Sequence, residues 1–317
     1  MMNWLLRLLG ALLVVTAVLL ALSRAPDRSV ESLVARWAPP PSDFIEVKGQ
    51  LVHIRDQGPR DDALPIVLIH GTSASLHTWE GWVAVLARER RVITFDLPGF
   101  GLTGPFSGQY PSDDYSGAAY ARFMVDLLDH LHIERAVLGG NSLGGEVAWR
   151  TAVLAPARVA ALILVDASGP PFVPESVPLG FALARIPLLG RLSEWVLPRD
   201  VVAQSVASVY GDPSRVTPQL VDRYFELTLR EGNRRALRLR IAQVVRGEDA
   251  SGLAAIKVPT LILWGGRDRL IPPATARVFE RAIAGSTLVV FPALGHVPQE
   301  EDPARTLPAV REFLARL

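Results

Sequence analysis

Cysteine is missing from all 317 residues. Its absence excludes disulfide cross-links, a cysteine nucleophile and thiolate-held metal, and leaves the redox compartment open. Lysine is nearly missing too: Lys48 and Lys257 stand alone among basic residues that are otherwise arginine. Neither sign of charge dominates, with 33 basic against 32 acidic residues and a net charge of +1. Without a basic stripe there is nothing for a phosphate backbone to follow, and nucleic acid is set aside as a partner. The length suffices for one large core of about 250 to 270 residues plus a terminal appendage.

What is present centres on nine residues, Val137-Leu138-Gly139-Gly140-Asn141-Ser142-Leu143-Gly144-Gly145. Residues 135–139 read as a short buried strand, and 145–155 as a helix that ends before Pro156. Between them Gly140-Asn141-Ser142-Leu143-Gly144 fits G-x-S-x-G, a serine on a tight strand-to-helix turn. Such a bend leaves no room for flanking side chains, hence glycine, and it lifts Ser142 clear of the sheet. The backbone N–H of Leu143 then sits at a helix start, where unpaired donors and the helix dipole favour developing negative charge. That is half of an oxyanion site.

The amino-terminal stretch 4–22, opening on Trp4 and closing on Leu22, is apolar except for Arg7 and Thr16. As a helix it spans about 28 Å, close to the thickness of a bilayer core. Two readings stand. In the favoured one, 1–23 is a transmembrane anchor with Arg7 snorkelling and Trp4 at the interface, which places a membrane-anchored catalytic domain outside the cytoplasm. In the other, 8–20 is the apolar core of a signal peptide cleaved near Ala21-Leu22-Ser23, and the domain is secreted. Residues 24–41 read as a linker ending in Pro39-Pro40-Pro41, a stiff extended spacer.

Beyond it, 44–47 and 51–55 read as a hairpin, and 65–69 and 91–95 as strands. The first ends at His70-Gly71-Thr72, a loop placed to supply the second oxyanion donor from Thr72, or from Ser73. His70 reads as a structural residue, His77 as a loop or pocket-wall residue, and His130 and His132 as surface residues. Ser112 reads as the N-cap of a helix running to Leu131. Asp96 and Asp166 both follow strands and are alternatives for an acid partnering a histidine; for Asp96 a turn-stabilising role is favoured. From 170 to 252 the strand–helix alternation stops. This insertion reads as a helical cap, with Phe172, Phe181, Trp195, Tyr210, Tyr224 and Phe225 as lining candidates. The cluster Arg230, Arg234, Arg235, Arg238, Arg240 and Arg246 reads as a solvated helix face, with Glu231 and Arg235 paired at i,i+4; a carboxylate-binding or lipid-facing role is the alternative. Strands at 259–263 and 287–291 then lead to Trp264-Gly265-Gly266-Arg267-Asp268 and to Gly295-His296. In a parallel sheet, Ser142, Asp268 and His296 emerge at one edge.

On these motifs, with Asp96-Leu97-Pro98-Gly99-Phe100-Gly101, the chain resembles the α/β-hydrolase superfamily over residues 42–317. The resemblance implies an α/β fold with a mostly parallel eight-stranded sheet, helices on both faces, a core of 42–169 and 253–317, and a cap of 170–252. Within the superfamily the chain looks most like bacterial capped carboxylesterases and the C–C hydrolases that split meta-cleavage products of aromatic degradation, many of which have the Gly-Asn-Ser-x-Gly-Gly form. Dehalogenases and epoxide hydrolases of this fold use aspartate where Ser142 stands, which argues against both. The implied chemistry is a Ser142–His296–Asp268 triad with Thr72 and Leu143 as backbone oxyanion donors, and no metal or organic cofactor. Three activities compete: cleavage of a small-molecule ester or acyl substrate first, C–C hydrolysis second, acyl transfer or lipid hydrolysis near a membrane third. A non-catalytic receptor is the alternative of a different class. The loop after His70-Gly71 lacks the Gly-Pro-Gly of many C–C hydrolases, which favours the ester. Oligomeric state is not legible.

Overall fold

The computed structural model describes residues 2–244 and 250–317; Arg246 lies outside them. Its centre is a sheet of eight strands: β1 (Asp43–Val47), β2 (Gln50–Gln57), β3 (Ile66–Ile69), β4 (Val92–Phe95), β5 (Ala136–Asn141), β6 (Val159–Val165), β7 (Thr260–Gly265) and β8 (Thr287–Phe291). Their spatial order is β1-β2-β4-β3-β5-β6-β7-β8. β1 pairs antiparallel with β2, and β2 with β4; every later pairing is parallel.

Strands β3 to β7 are buried along their whole length, which is why they read as continuous apolar runs. Alternate residues serve opposite layers. Val67, Ile69, Leu138, Leu162 and Leu164 join Tyr120, Phe123, Val147 and Trp149 in one core. Ile66, Leu68, Val137, Ile163 and Val165 join Trp79, Trp82, Leu307 and Val310 in the other. Each such side chain contributes roughly 1.5–3 kcal/mol by leaving water. The registers Ile69↔Gly140, Asn141↔Val165 and Val165↔Leu263 end β3, β5, β6 and β7 at one level. His70, Ser142, Asp166 and the turn after β7 therefore emerge along one sheet edge.

Several local expectations shift. The helix after the Asp96 turn is Gly117–His130, and its N-cap is Ser116, which accepts from Ala119 N at 3.2 Å, not Ser112. The extra residues are held in a turn: Tyr115 N donates to Gln243 Oε1 at 2.7 Å and Ser116 N to Asp114 Oδ1 at 3.0 Å. The amino-terminal helix, Met2–Leu22, forms with Trp4, Leu6, Leu9, Leu12 and Leu13 exposed. Among the described residues no helix is long and apolar enough to cross a membrane, so the expected spanning anchor is unsupported. The segment expected to be an extended spacer contains a helix, Val30–Trp37, whose buried Leu33 packs with Leu102 and Leu227. Apolar Val30, Leu33, Val34 and Trp37 fall at helical spacing, which explains the difference. Backbone bonds Ala25 N→Trp195 O (3.0 Å), Arg28 N→Leu229 O (2.7 Å) and Glu231 N→Arg28 O (2.8 Å) stitch this segment to the insertion between β6 and β7. That insertion carries helices Leu179–Ala184, Pro187–Leu192, Arg199–Ala207, Pro218–Thr228 and Asn233–Gln243.

Asp96 holds the turn after β4, the role favoured for it, and is fully buried. Its Oδ1 accepts from Leu76 N at 2.7 Å, and its Oδ2 from Leu102 N at 2.8 Å and His53 Nδ1–H at 2.7 Å. Burial opposes its ionisation, but the His53 charge and hydrogen bond outweigh burial and hold the carboxyl below its ordinary 3.8. The stability it contributes is therefore full above 3.8 and is lost as pH falls towards the depressed folded value. We expect Asp96→Asn to cost about 1–3 kcal/mol at neutral pH, with the gap in Tm from the parent narrowing as the pH is taken from about 5 to about 2. A gap constant over that range would contradict the assignment.

Candidate active site

Ser142 sits between the end of β5 and the helix Leu143–Leu154, with φ 55° and ψ −116°. A non-glycine residue there carries strain of order 1–3 kcal/mol, and its neighbours hold it in place. Ser142 N donates to Val165 O, and Ser168 N donates to Ser142 O, each at 3.0 Å. The flanking glycines are a steric requirement: a Cβ on Gly144 would lie 2.0 Å from Ile69 O, and one on Gly140 2.1 Å from Gly144 O. Neither Leu143 N nor Thr72 N has a protein hydrogen-bond partner among the described residues.

The loop bearing Thr72 is fixed by His70. Leu97 N donates to His70 Nε2 at 2.9 Å, so Nδ1 carries the proton and donates to Gly71 O at 2.7 Å. Burial pushes this imidazole's pKa down and keeps it neutral, as a brace rather than a proton carrier. His77 is not on the cavity wall. It is buried, its Nε2 2.8 Å from Trp37 O and its Nδ1 3.0 Å from Ser75 Oγ, and burial pushes it down to about 3. His130 and His132 are exposed, as expected.

Asp268 and His296 meet: Nδ1–H donates to Asp268 Oδ2 at 2.7 Å. The other oxygen, Oδ1, accepts from Leu270 N at 2.8 Å and Ile271 N at 2.9 Å, which aims the carboxylate. That fixes the tautomer and leaves Nε2 as the acceptor. His296 is placed by its backbone. His296 N donates to Val209 O at 2.8 Å, and Asn141 Nδ2 donates to His296 O at 2.9 Å. Glu301 ties the same loop down, accepting from Gly295 N at 2.8 Å and from Gly211 N at 2.9 Å. Glu301 did not stand out in the sequence, and Asn141 stood out only as part of the Gly-Asn-Ser-x-Gly-Gly form, without a role.

Asp166, the other candidate acid, does not reach the imidazole as a bonded partner: its Oδ1 accepts from Gly265 N at 2.9 Å. It is buried close to Asp268, with one oxygen of each carboxylate and one His296 nitrogen all within 4.8 Å of one another. Burial, then the Asp268 charge, raises its pKa well above the ordinary value, so it stays protonated.

Ser142, His296, Gly71, Thr72 and Ser73 line one cavity of about 150 Å³. No direct hydrogen bond joins the Ser142 hydroxyl to the imidazole among the described residues; such contacts commonly close only once substrate is bound. The rest of the wall is mostly apolar and comes from the insertion, including Phe181, Leu183, Val196, Val202 and Val206. Of the expected aromatic lining only Phe181 and Tyr224 reach it; Phe172 packs on the core, Tyr210 is buried in a satellite cluster and Trp195 is exposed. The arginine cluster is not uniformly solvated either. Arg240 is buried, with Nη2 on Glu146 at 2.7 Å and Nη1 on Tyr115 O at 3.0 Å, and Arg234 lines the cavity.

A family model described as the alpha/beta hydrolase fold matches residues 65–303. An uncharacterized protein of Mycobacterium tuberculosis is 35% identical over 292 residues, covering 87% of this chain and 82% of its own. A 2-hydroxymuconate semialdehyde hydrolase of Pseudomonas sp. strain CF600 is 31% identical over 281 residues, covering 86% of this chain and 93% of its own. Among solved structures, a thermophilic esterase from Thermogutta terrifontis superposes with a TM-score of 0.70 at 28% identity, covering 86% of this chain and 98% of that one.

The two carboxylates separate by mutation. Asp268→Asn, which removes the acceptor that sets the His296 tautomer, is expected to slow modification of Ser142 by a fluorophosphonate about 10²- to 10⁴-fold. Asp166→Asn, replacing an already neutral acid, is expected to stay within about tenfold of the parent. The reverse ranking would assign the acid to Asp166.

Proposed function

The chain belongs to the α/β-hydrolase fold family, and from that premise we propose that it is a serine hydrolase cleaving carboxylic esters through an acyl-enzyme. The observation that carries this reading is the Asp268–His296 pair opening onto the same apolar cavity as Ser142. A serine hydroxyl is a poor nucleophile at neutral pH, so His296 Nε2 takes its proton as Oγ attacks the ester carbonyl. Asp268 keeps Nδ1 protonated throughout and stabilises the imidazolium that forms. The Leu143 and Thr72 N–H groups hold the tetrahedral oxyanion, each worth on the order of 10² to 10³ in rate. His296 then returns the proton to the departing alkoxide, and activates the water that releases the acid. The 170–252 insertion acts as the cap that keeps bulk water from the acyl group.

Support for the ester comes from the apolar wall, from the Thr72-Ser73 loop without Gly-Pro-Gly, and from the likeness to the Thermogutta esterase. The 31% identity to the semialdehyde hydrolase favours a second reading, C–C bond hydrolysis at the same serine. A panel of p-nitrophenyl esters of graded chain length beside a dienoic ring-fission product separates the two. We expect ester turnover, fluorophosphonate labelling of Ser142, and loss of both by about 10⁴-fold or more in Ser142→Ala. Turnover of the dienoic compound alone would replace the ester reading, and labelling that survives Ser142→Ala would end both.

A further inference from the structure

Arg234 is the second residue of the helix Asn233–Gln243, and its side chain is only 4% exposed. One nitrogen, Nη2, donates to Asp27 Oδ1 at 2.5 Å. Asp27 lies in the segment before Val30–Trp37 and is 41% exposed, so water shares its charge and weakens the pair. The Nε and Nη1 atoms, which carry three of a guanidinium's five N–H groups, have no partner among the described residues. Buried and unpaired donors on a permanent cation are costly, and each such group in a native structure calls for an explanation.

Arg234 also lines the cavity that Ser142 and His296 open onto, and no carboxylate is present among the described residues of that wall. Arg240, six residues on, is the contrast: it is as deeply buried, but its two terminal nitrogens are on Glu146 and Tyr115 O, and it does not line the cavity. Asp27 supplies a partly exposed countercharge on one nitrogen only, which leaves three buried N–H groups of Arg234 open to an anionic ligand. We infer that Arg234 is an anion-binding subsite of the Ser142 cavity, taking the carboxylate or phosphate group of an otherwise apolar substrate. This rests on reading that cavity as the substrate site, and not on which bond is cleaved. Thr228 and Tyr224 share the wall with Arg234.

The test is direct binding by calorimetry of octanoate, octyl phosphate and the neutral octanamide to the full chain. We expect one or both anions to bind at least about tenfold tighter than the amide. That preference should disappear in Arg234→Gln, survive in part in Arg234→Lys, and grow in Asp27→Asn, which removes the competing carboxylate. The tighter of the two anions identifies carboxylate or phosphate as the natural group. No preference in the parent, or a preference undiminished in Arg234→Gln while Asp27→Asn changes nothing, would overturn the subsite. Binding is read without turnover: lack of ester cleavage with Arg234-dependent binding intact defeats the ester reading alone, and cleavage without the preference defeats the subsite alone.

Discussion

The conformation of Ser142 is the constraint from which the rest of the site follows. A non-glycine residue at φ 55° and ψ −116° carries strain that its surroundings must hold in place. Here the end of β6 and the loop after it grip it from both sides, through Val165 O and Ser168 N, and the glycines at 140 and 144 let β3 and the following helix close in. The strain is thus held in the middle of a parallel sheet whose strands are buried along their length. That the same strands end at one level is what brings residues more than 150 positions apart in the chain to a single edge.

The second level of organisation is backbone placement of side chains. His296 is positioned less by its ring than by its main chain: Asn141 holds its carbonyl, Val209 accepts its N–H, and Glu301 clamps the preceding glycine together with Gly211. Two of those groups, Val209 and Gly211, lie in the insertion. The cavity wall and the histidine loop are therefore mechanically joined, and the segment 24–37 braces the insertion from outside, by its backbone bonds and through Asp27 on Arg234. Movement of the insertion relative to the sheet would disturb both the cavity wall and the imidazole.

The sheet was legible because strands covered on both faces must be continuously apolar, and the serine turn because its glycines answer a steric demand that few sequences meet by chance. The roles of His70 and Asp96 followed from residue type and place alone. What stayed hidden depends on facing rather than on type. Four apolar residues at 30, 33, 34 and 37 make one amphipathic face in a segment whose prolines pointed to a spacer. Ser112 and Ser116 are equally good caps until Gln243 claims the backbone between them. The arginines from 230 to 246 read as one charged face, because nothing in a sequence says that Arg234 and Arg240 are buried while Arg235 is exposed. The apolar amino-terminal stretch showed its helix, and its length and apolar composition suggested a span that the described residues do not support.

In the proposed mechanism Ser142, His296, Thr72 and Leu143 act on one reacting carbonyl. A crystal structure of the protein with a trifluoromethyl ketone of matching chain length would show this. We expect a bond from Ser142 Oγ to the ketone carbon, the new oxyanion within about 3 Å of both the Thr72 and Leu143 nitrogens, and His296 Nε2 within hydrogen-bond reach of Oγ. A ketone bound without a covalent link to Ser142, or an oxyanion turned away from those two nitrogens, would contradict it.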